Sequence, residues 1–320
     1  MKLIYKELVL YILMTKIQWD TFKYENIIEH EKNEIKDLPN GVTISTMCSS
    51  CKLSSTINIT NIEKYLKLDE DDILCVKLNT DKKRTLLREK NKNKRSNKKI
   101  KETKFNHFYN QITVVIRVFS GPSTELQDEP KINLKLFKNG SIQMSGCKSL
   151  KNINIVLNKL LIKLNEIKAR VEDGKINEIT FLDNPVGVHI HSFKIDMINS
   201  NYKVNMQIDR ANLYNLLIKK KIKSSFEPCI RACVIIKHTP ELNNDEGKEI
   251  SIFVFQKGNI IITGARTRCH ILSAYKYINN ILVTHYDDIN KKDDKEEEDL
   301  ILNLYDEIIK DSITNIDISC

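Results

Sequence analysis

Cysteine and histidine carry the first chemical possibilities in this chain. Cys48-x-x-Cys51 and Cys229-x3-Cys233 have the close spacing with which thiolates enter a tetrahedral zinc site. A single C-x-x-C is a weak signal, and thiols buried as small apolar side chains account for the same residues. The eight cysteines, at 48, 51, 75, 147, 229, 233, 269 and 320, lack the pattern of a small disulfide scaffold and fit a reduced, intracellular setting. His189 and His191 with Asp183 offer acid–base or ligand chemistry, but no matched partners accompany them. No G-x-x-x-x-G-K-[ST] phosphate loop is present. We therefore expect no bound metal, no cofactor and no catalytic activity.

A second pattern points away from catalysis and towards a surface. Phe137 to Lys148 reads FKNGSIQMSGCK, and Phe255 to Arg266 reads FQKGNIIITGAR. Each has Phe, Gly three residues on, then a small hydroxyl residue, Gly, a small residue and a base. Strands send alternate side chains to opposite faces. Ile132, Leu134, Leu136, Ile142 and Met144 then share one face, and Asn133, Lys135, Phe137, Ser141, Gln143 and Ser145 share the other. In the second copy Ile250, Ile252, Val254, Ile260 and Ile262 oppose Ser251, Phe253, Phe255, Asn259, Ile261 and Thr263. The second face combines Phe, amides, hydroxyls and bases without a carboxylate at these positions. Such a mixture suits nucleic acid, because hydroxyls and amides reach base edges and apolar wedges enter base steps. The competing reading is a second core layer, with a terminal helix covering the face.

The elements that position these strands are themselves duplicated. Val114–Arg117 and Val234–Lys237 precede the two copies, each followed by a polar loop, SGPSTELQDEP or HTPELNNDEGKE. SLKNINIVLNKLLIKL and TRCHILSAYKYINNIL follow, both with helical apolar spacing. Upstream, a strand at Val42–Met47 leads to a helix at Ile59–Leu66, and a strand at Phe193–Ile198 leads to a helix at Ala211–Ile218. Each half reads strand, helix, several strands, long helix. The boundaries are an N-terminal extension (1–41), repeat 1 (42–168), a linker (169–189), repeat 2 (190–287) and an acidic C-terminal tail (288–320). Asn139-Gly140 and Lys257-Gly258 mark hairpin turns.

Charge is unevenly placed. The 320 residues carry a formal charge of +9, and residues 81–104 alone hold twelve Lys/Arg against three Asp/Glu, which accounts for all of it. That segment interrupts repeat 1 and reads as a flexible insert. The tail carries KKDDKEEED and then a helical pattern. Near the N-terminus the longest apolar run, Leu8–Met14, is too short to span a membrane, which takes about 20 residues, and no small-residue cleavage site follows it. Met14 is an alternative start.

The two phrases, together with ISTMCSSCKL (Ile44–Leu53) and FKIDMINS (Phe193–Ser200), resemble the TATA-box-binding protein core over about 42–287. The long loops and Lys/Asn/Ile-rich composition are similar to the divergent versions encoded by large DNA viruses. The resemblance implies an α/β fold of the α+β type: a saddle of two pseudo-symmetric repeats forming one curved antiparallel sheet, with helices on the convex face. It implies a transcription initiation factor that lies in the minor groove of AT-rich promoter DNA, bends it, and recruits a general transcription factor B-like protein and RNA polymerase. It also implies a monomer on DNA and no membrane association, in the host nucleus or a cytoplasmic viral factory, or packaged in the virion. The family's wedge position falls on Phe137 and Phe255. Ser145 and Thr263 match its small hydroxyls at base edges, Gln143 and Ile261 its central groove positions, and Lys148 and Arg266 its phosphate contacts, which Arg117 and Lys237 extend. The sequence also departs from the family. The second wedge aligns near Gln111 in repeat 1 and near Phe226-Glu227-Pro228 in repeat 2, where Phe253 is the substitute. The groove-reading Asn positions fall on Val42 and Met197, with Asn40 and Asn199 nearby. Weaker, less selective or redirected binding follows. The alternative is an interaction module of this fold that recruits transcription proteins with little sequence-specific DNA binding.

Overall fold

The computed structural model describes residues 35, 37–78, 83–87, 110–118, 130–172, 175–240 and 247–291. They divide into two compact units, one built from 44–200 with 264–268, the other from 39–43, 201–263 and 269 onward. The first contains β1 (Thr43–Leu53), α1 (Ile59–Tyr65), β2 (Ile73–Lys77), β3 (Lys83–Thr85), β4 (Gln111–Arg117), β5 (Lys131–Phe137), β6 (Ser141–Cys147), α2 (Leu150–Leu164), β7 (Lys168–Glu172), β8 (Lys175–Ile179) and most of β9 (Ile190–Lys203). Its main sheet has the order β9-β1-β6-β5-β4-β2-β3, and β7 and β8 form a separate hairpin. The second unit contains α3 (Arg210–Lys219), β10 (Ser224–Ser225), β11 (Cys233–His238), β12 (Ile250–Phe255), β13 (Asn259–Ala265), α4 (Arg268–Thr284) and α5 (Tyr286–Ile289), with the antiparallel order β10-β11-β12-β13. The fold class is the α+β one expected, with the same element order written twice.

The two-residue period fixes which face each strand buries. Ile132, Leu134 and Leu136 are fully buried, as are Ile250, Ile252 and Val254, while their neighbours in sequence stay accessible. The helices close over the apolar side. In α2 the buried positions Leu150, Ile153, Val156, Leu157, Leu160, Leu161 and Leu164 follow the 3.6-residue period. Each such aliphatic side chain contributes about 1.5–3 kcal/mol on burial. Side chains cap the helix starts: Asn58 accepts from Asn61 N–H, Ser149 from Asn152 N–H, and Asp209 from Ala211 and Asn212 N–H.

The repeated phrase has a backbone cause. Gly140 and Gly258 sit in the hairpin turns at φ +83° and +76°. The carbonyl of Gly140 accepts from Leu53 N–H and that of Gly258 from Val204 N–H, each at 2.9 Å. A Cβ on Gly140 would lie 2.5 Å from the Ser55 carbonyl oxygen, and one on Gly258 would strike the carbonyls of Val204 and Met206. The turn therefore packs against the chain leaving the first strand of its own repeat. Gly146 (φ +95°) is the extra residue where Met47 pairs with Cys147 and Cys48 with Ser145, a bulge at the end of β6.

After each long helix the chain returns to the start of its repeat. Ile57 bridges to Leu182 and Ile208 to Asn290. Asn58 N–H donates to Phe181 O, and Asp209 N–H to Ile289 O. Hydrogen bonding thus carries each repeat past its long helix, to about 182 and 291.

Two segments are more structured than their sequence suggests. The start of the Lys-rich insert forms β3 on the sheet edge, where Arg84 donates to the carbonyls of Ile62, Glu63 and Leu66 at 2.8–3.0 Å, closing the C-terminus of α1. Residues 81–82 and 88–104 of that insert lie outside the described residues, as do 120–129 and 241–246 of the two polar loops, residues 1–34 and 292–320. The stretch read as a linker contains the β7–β8 hairpin, whose facing Val171 and Ile176 are exposed.

Candidate nucleic-acid interface

The accessible face of the first unit is built in rows across strands. Gln111 stands opposite Phe137; Thr113, Lys135, Gln143 and Ser50 form the next row; Val115, Asn133, Ser145 and Cys48 form the one after. Arg117 and Lys131 close it. Phe137 is half-buried, and Asn133, Lys135, Gln143 and Ser145 are exposed. Lys148 is exposed just beyond β6. Arg117 is half-buried, with its backbone tied to Asp72 and Lys159.

The corresponding face of the second unit is more apolar. Cys233 pairs with Phe255; Ile235, Phe253 and Ile261 form one row, and Lys237, Ser251 and Thr263 the next, with Cys233 and Ile235 buried. Phe253, Phe255, Ile261 and Thr263 are half-buried, and Arg266 is exposed. Lys237 is already engaged: its Nζ lies 3.1 Å from Glu249 Oε1 and donates to Ser251 Oγ at 2.9 Å. Lys223 and then Lys237 hold the Glu249 carboxyl below its ordinary pKa.

The structure locates the departures. Gln111 directly faces Phe137, so an amide holds the position opposite that ring. In the second unit the equivalent place opposite Phe255 holds Cys233, while Phe226 packs against α3, 6.0 Å from the Tyr214 ring with the Arg210 guanidinium over it. Val42 is buried. Met197 and Asn199 are half-buried, and Asn199 alternates with the buried Ile198 and Ser200, which puts it on the accessible face. One carboxylate does approach this face in the first unit. Burial chiefly, and then the charge of Asp196, push the Cys48 thiol up, and Asp196 is itself 3.7 Å from Lys194.

Sequence reasoning missed Thr43 and Asn201. Thr43 Oγ1 donates to Asn201 Oδ1 at 2.9 Å and lies 3.3 Å from Asn201 O. With Lys203, Phe255, Asn259 and Ile261 they line a recess of about 450 Å³. The signal lies in the sequence, since Asn201 continues the alternation Met197, Asn199 by one more step, beyond the strand expected at Phe193–Ile198.

The other chemical candidates do not assemble into a site. No group of three or more His, Cys, Asp or Glu side chains that could hold a metal ion occurs among the described residues. The described cysteines are unpaired, and burial pushes Cys51 and Cys147 up to about 12. His189 and His191 lie with ring centroids 5.9 Å apart and are tied to local partners, Gly187 O and Ser192 Oγ. No helix among the described residues is long and apolar enough to cross a membrane.

Comparison with known proteins completes the description. No family profile matches the chain. The TATA-box-binding protein-like protein of Acanthamoeba polyphaga mimivirus is 35% identical over 261 residues, covering 77% of this chain. The chain spans 66% of that relative's length, just under two thirds. The TBP of Methanococcus jannaschii aligns at 15% identity with a TM-score of 0.43, over 75% of this chain and 96% of its own. On the strength of the viral relative, the chain belongs to the TATA-box-binding protein-like family.

Proposed function

We propose that this protein is a transcription initiation factor that binds AT-rich promoter DNA in the minor groove through the accessible faces of both repeats, bends it, and recruits a B-like general factor and RNA polymerase. The observation that carries this reading is the repeated face itself. Phe137 and Phe255 occupy matching hairpin ends, on the side of each sheet opposite the packed helices, beside Gln143, Ser145, Ile261 and Thr263. Lys148, Arg266, Arg117 and, on release from Glu249, Lys237 meet phosphates. The reading assigns no catalytic step and no cofactor. It places the protein inside the host cell, in the nucleus or a viral factory.

Bending DNA sharply costs on the order of 1–6 kcal/mol, and unstacking each step a few more. Wedge insertion, groove burial and phosphate neutralisation offset that cost. Gln111 and Cys233, standing where second wedges would, predict a shallower bend and more reliance on charge. They also favour a second reading, a recruiting module whose DNA contacts carry little sequence information. Selection from random duplexes at two salt concentrations separates the two. Recovery of AT-rich sequences, lost in Phe137→Ala/Phe255→Ala, supports the first. Unselective binding that survives the double variant and disappears with salt supports the second.

A further inference from the structure

We infer that the two repeats divide the work on DNA: the second unstacks one base step and reads the pair beside it through Asn201, while the first holds the backbone by charge. This rests on the reading above that the accessible faces meet duplex DNA.

The two faces share their hairpin-end Phe, the hydroxyls of Ser145 and Thr263 and the base beyond them, but differ in the rows beside the ring. In register, Cys233, Ile235, Phe253 and Ile261 of the second repeat stand where the first has Gln111, Thr113, Lys135 and Gln143. Cys233 and Ile235 are buried, so the accessible part of this apolar row is Phe255, with Phe253 and Ile261 behind it, all three half-buried. Among the described residues Phe137 is bordered by the Gln111 amide and is next in line to Lys135. Driving a wedge between bases buries its surroundings against the groove floor, which suits apolar neighbours and penalises polar ones left without partners. Lys135, Lys131 and Lys52 instead give the first face positive charge at its surface, and the Asp196 carboxylate beside it is ion-paired with Lys194.

The second compact unit, to which Thr43 belongs together with 201–263, also holds a directed donor. Because the Thr43 hydroxyl donates to Asn201 Oδ1, the amide nitrogen is the group left to donate outward into the recess next to Phe255. In the minor groove an A·T pair offers only acceptors, adenine N3 and thymine O2, whereas G·C adds the guanine amino donor. A fixed amide donor accepts the first and opposes the second.

The test uses the full chain and AT-rich duplexes carrying 2-aminopurine at successive positions, whose fluorescence rises on unstacking. The expected rise is confined to one end of the site, disappears in Phe253→Ala/Phe255→Ala and persists in Phe137→Ala. Thr43→Val and Asn201→Ala should each lose about tenfold of the preference for A·T over G·C beside that step, with thermal unfolding confirming that the variants fold. Lys131→Gln/Lys135→Gln should flatten the salt dependence and leave the fluorescence change in place. A rise at both ends, or its loss in Phe137→Ala, would overturn the division while DNA binding stood. If no duplex is bound at all, both the division and the proposed function fail.

Discussion

Gly140 and Gly258 show how a single residue type can carry a whole motif. Both occupy left-handed backbone and both would place a Cβ against carbonyl oxygens. Gly140→Ala and Gly258→Ala should each destabilise the chain by at least about 1–3 kcal/mol, measured by denaturant unfolding. The sequence announced the turns, because Asn139-Gly140 is a strong hairpin signal, but not the reason for the second copy. That reason lies in Leu53, Ser55, Val204 and Met206, whose backbones the turns touch. The thiols provide a second prediction. With Cys51 and Cys147 raised from 9.0 to about 12, folding favours their protonated forms. That stabilisation is complete below the ordinary thiol pKa and is lost as pH climbs from about 9 towards 12, so unfolding free energy should fall over that window. At pH 8 an alkylating reagent should modify the exposed Cys229 and Cys269 well before Cys51 and Cys147. Lys237 provides a third. Glu249→Gln removes its carboxylate partner, and tighter DNA binding with a salt slope steeper by about one unit should follow.

At the scale of elements, the strands beneath the helices were readable because one buried face imposes strict alternation on Ile132–Phe137 and Ile250–Phe255. The long helices were readable because α2 and α4 each bury an apolar stripe. Two elements escaped for opposite reasons. The β7–β8 hairpin directs Val171 and Ile176 to solvent, so its apolar residues carry no core pattern, although Asp173-Gly174 has the composition of a tight turn. Strand β3 hides at the head of a lysine-rich run, and only the backbone carbonyls it closes reveal its use. Arg84→Ala leaves three carbonyls at the end of α1 without their charged donor. A loss of about 1–3 kcal/mol is expected, with amide exchange in 59–65 rising first. Polar pairs distant in sequence were the least legible. Nothing local joins Thr43 to Asn201, and the recess they line depends on that pairing.

The described residues carry one architecture written twice and then differentiated. Both repeats keep the hairpin glycine, the capped first helix, the long helix and the returning segment. They differ on the face that the packing does not constrain, which is where function is free to diverge. Fold was therefore more legible than binding preference, since core positions obey a period and face positions obey only their partner. If the lysine-rich insert adds phosphate contacts to a weakly wedging face, deleting 88–104 should lower affinity chiefly at low salt and reduce the slope of log K against log salt. The account as a whole stands on minor-groove recognition. The most direct measurement is binding to an AT-rich site in which A·T pairs are replaced by inosine·cytosine, which keeps the minor-groove pattern of A·T while presenting a G·C-like major groove. Retained affinity on that duplex, with loss on the matching G·C duplex, is the predicted result. Equal loss on both would contradict the account.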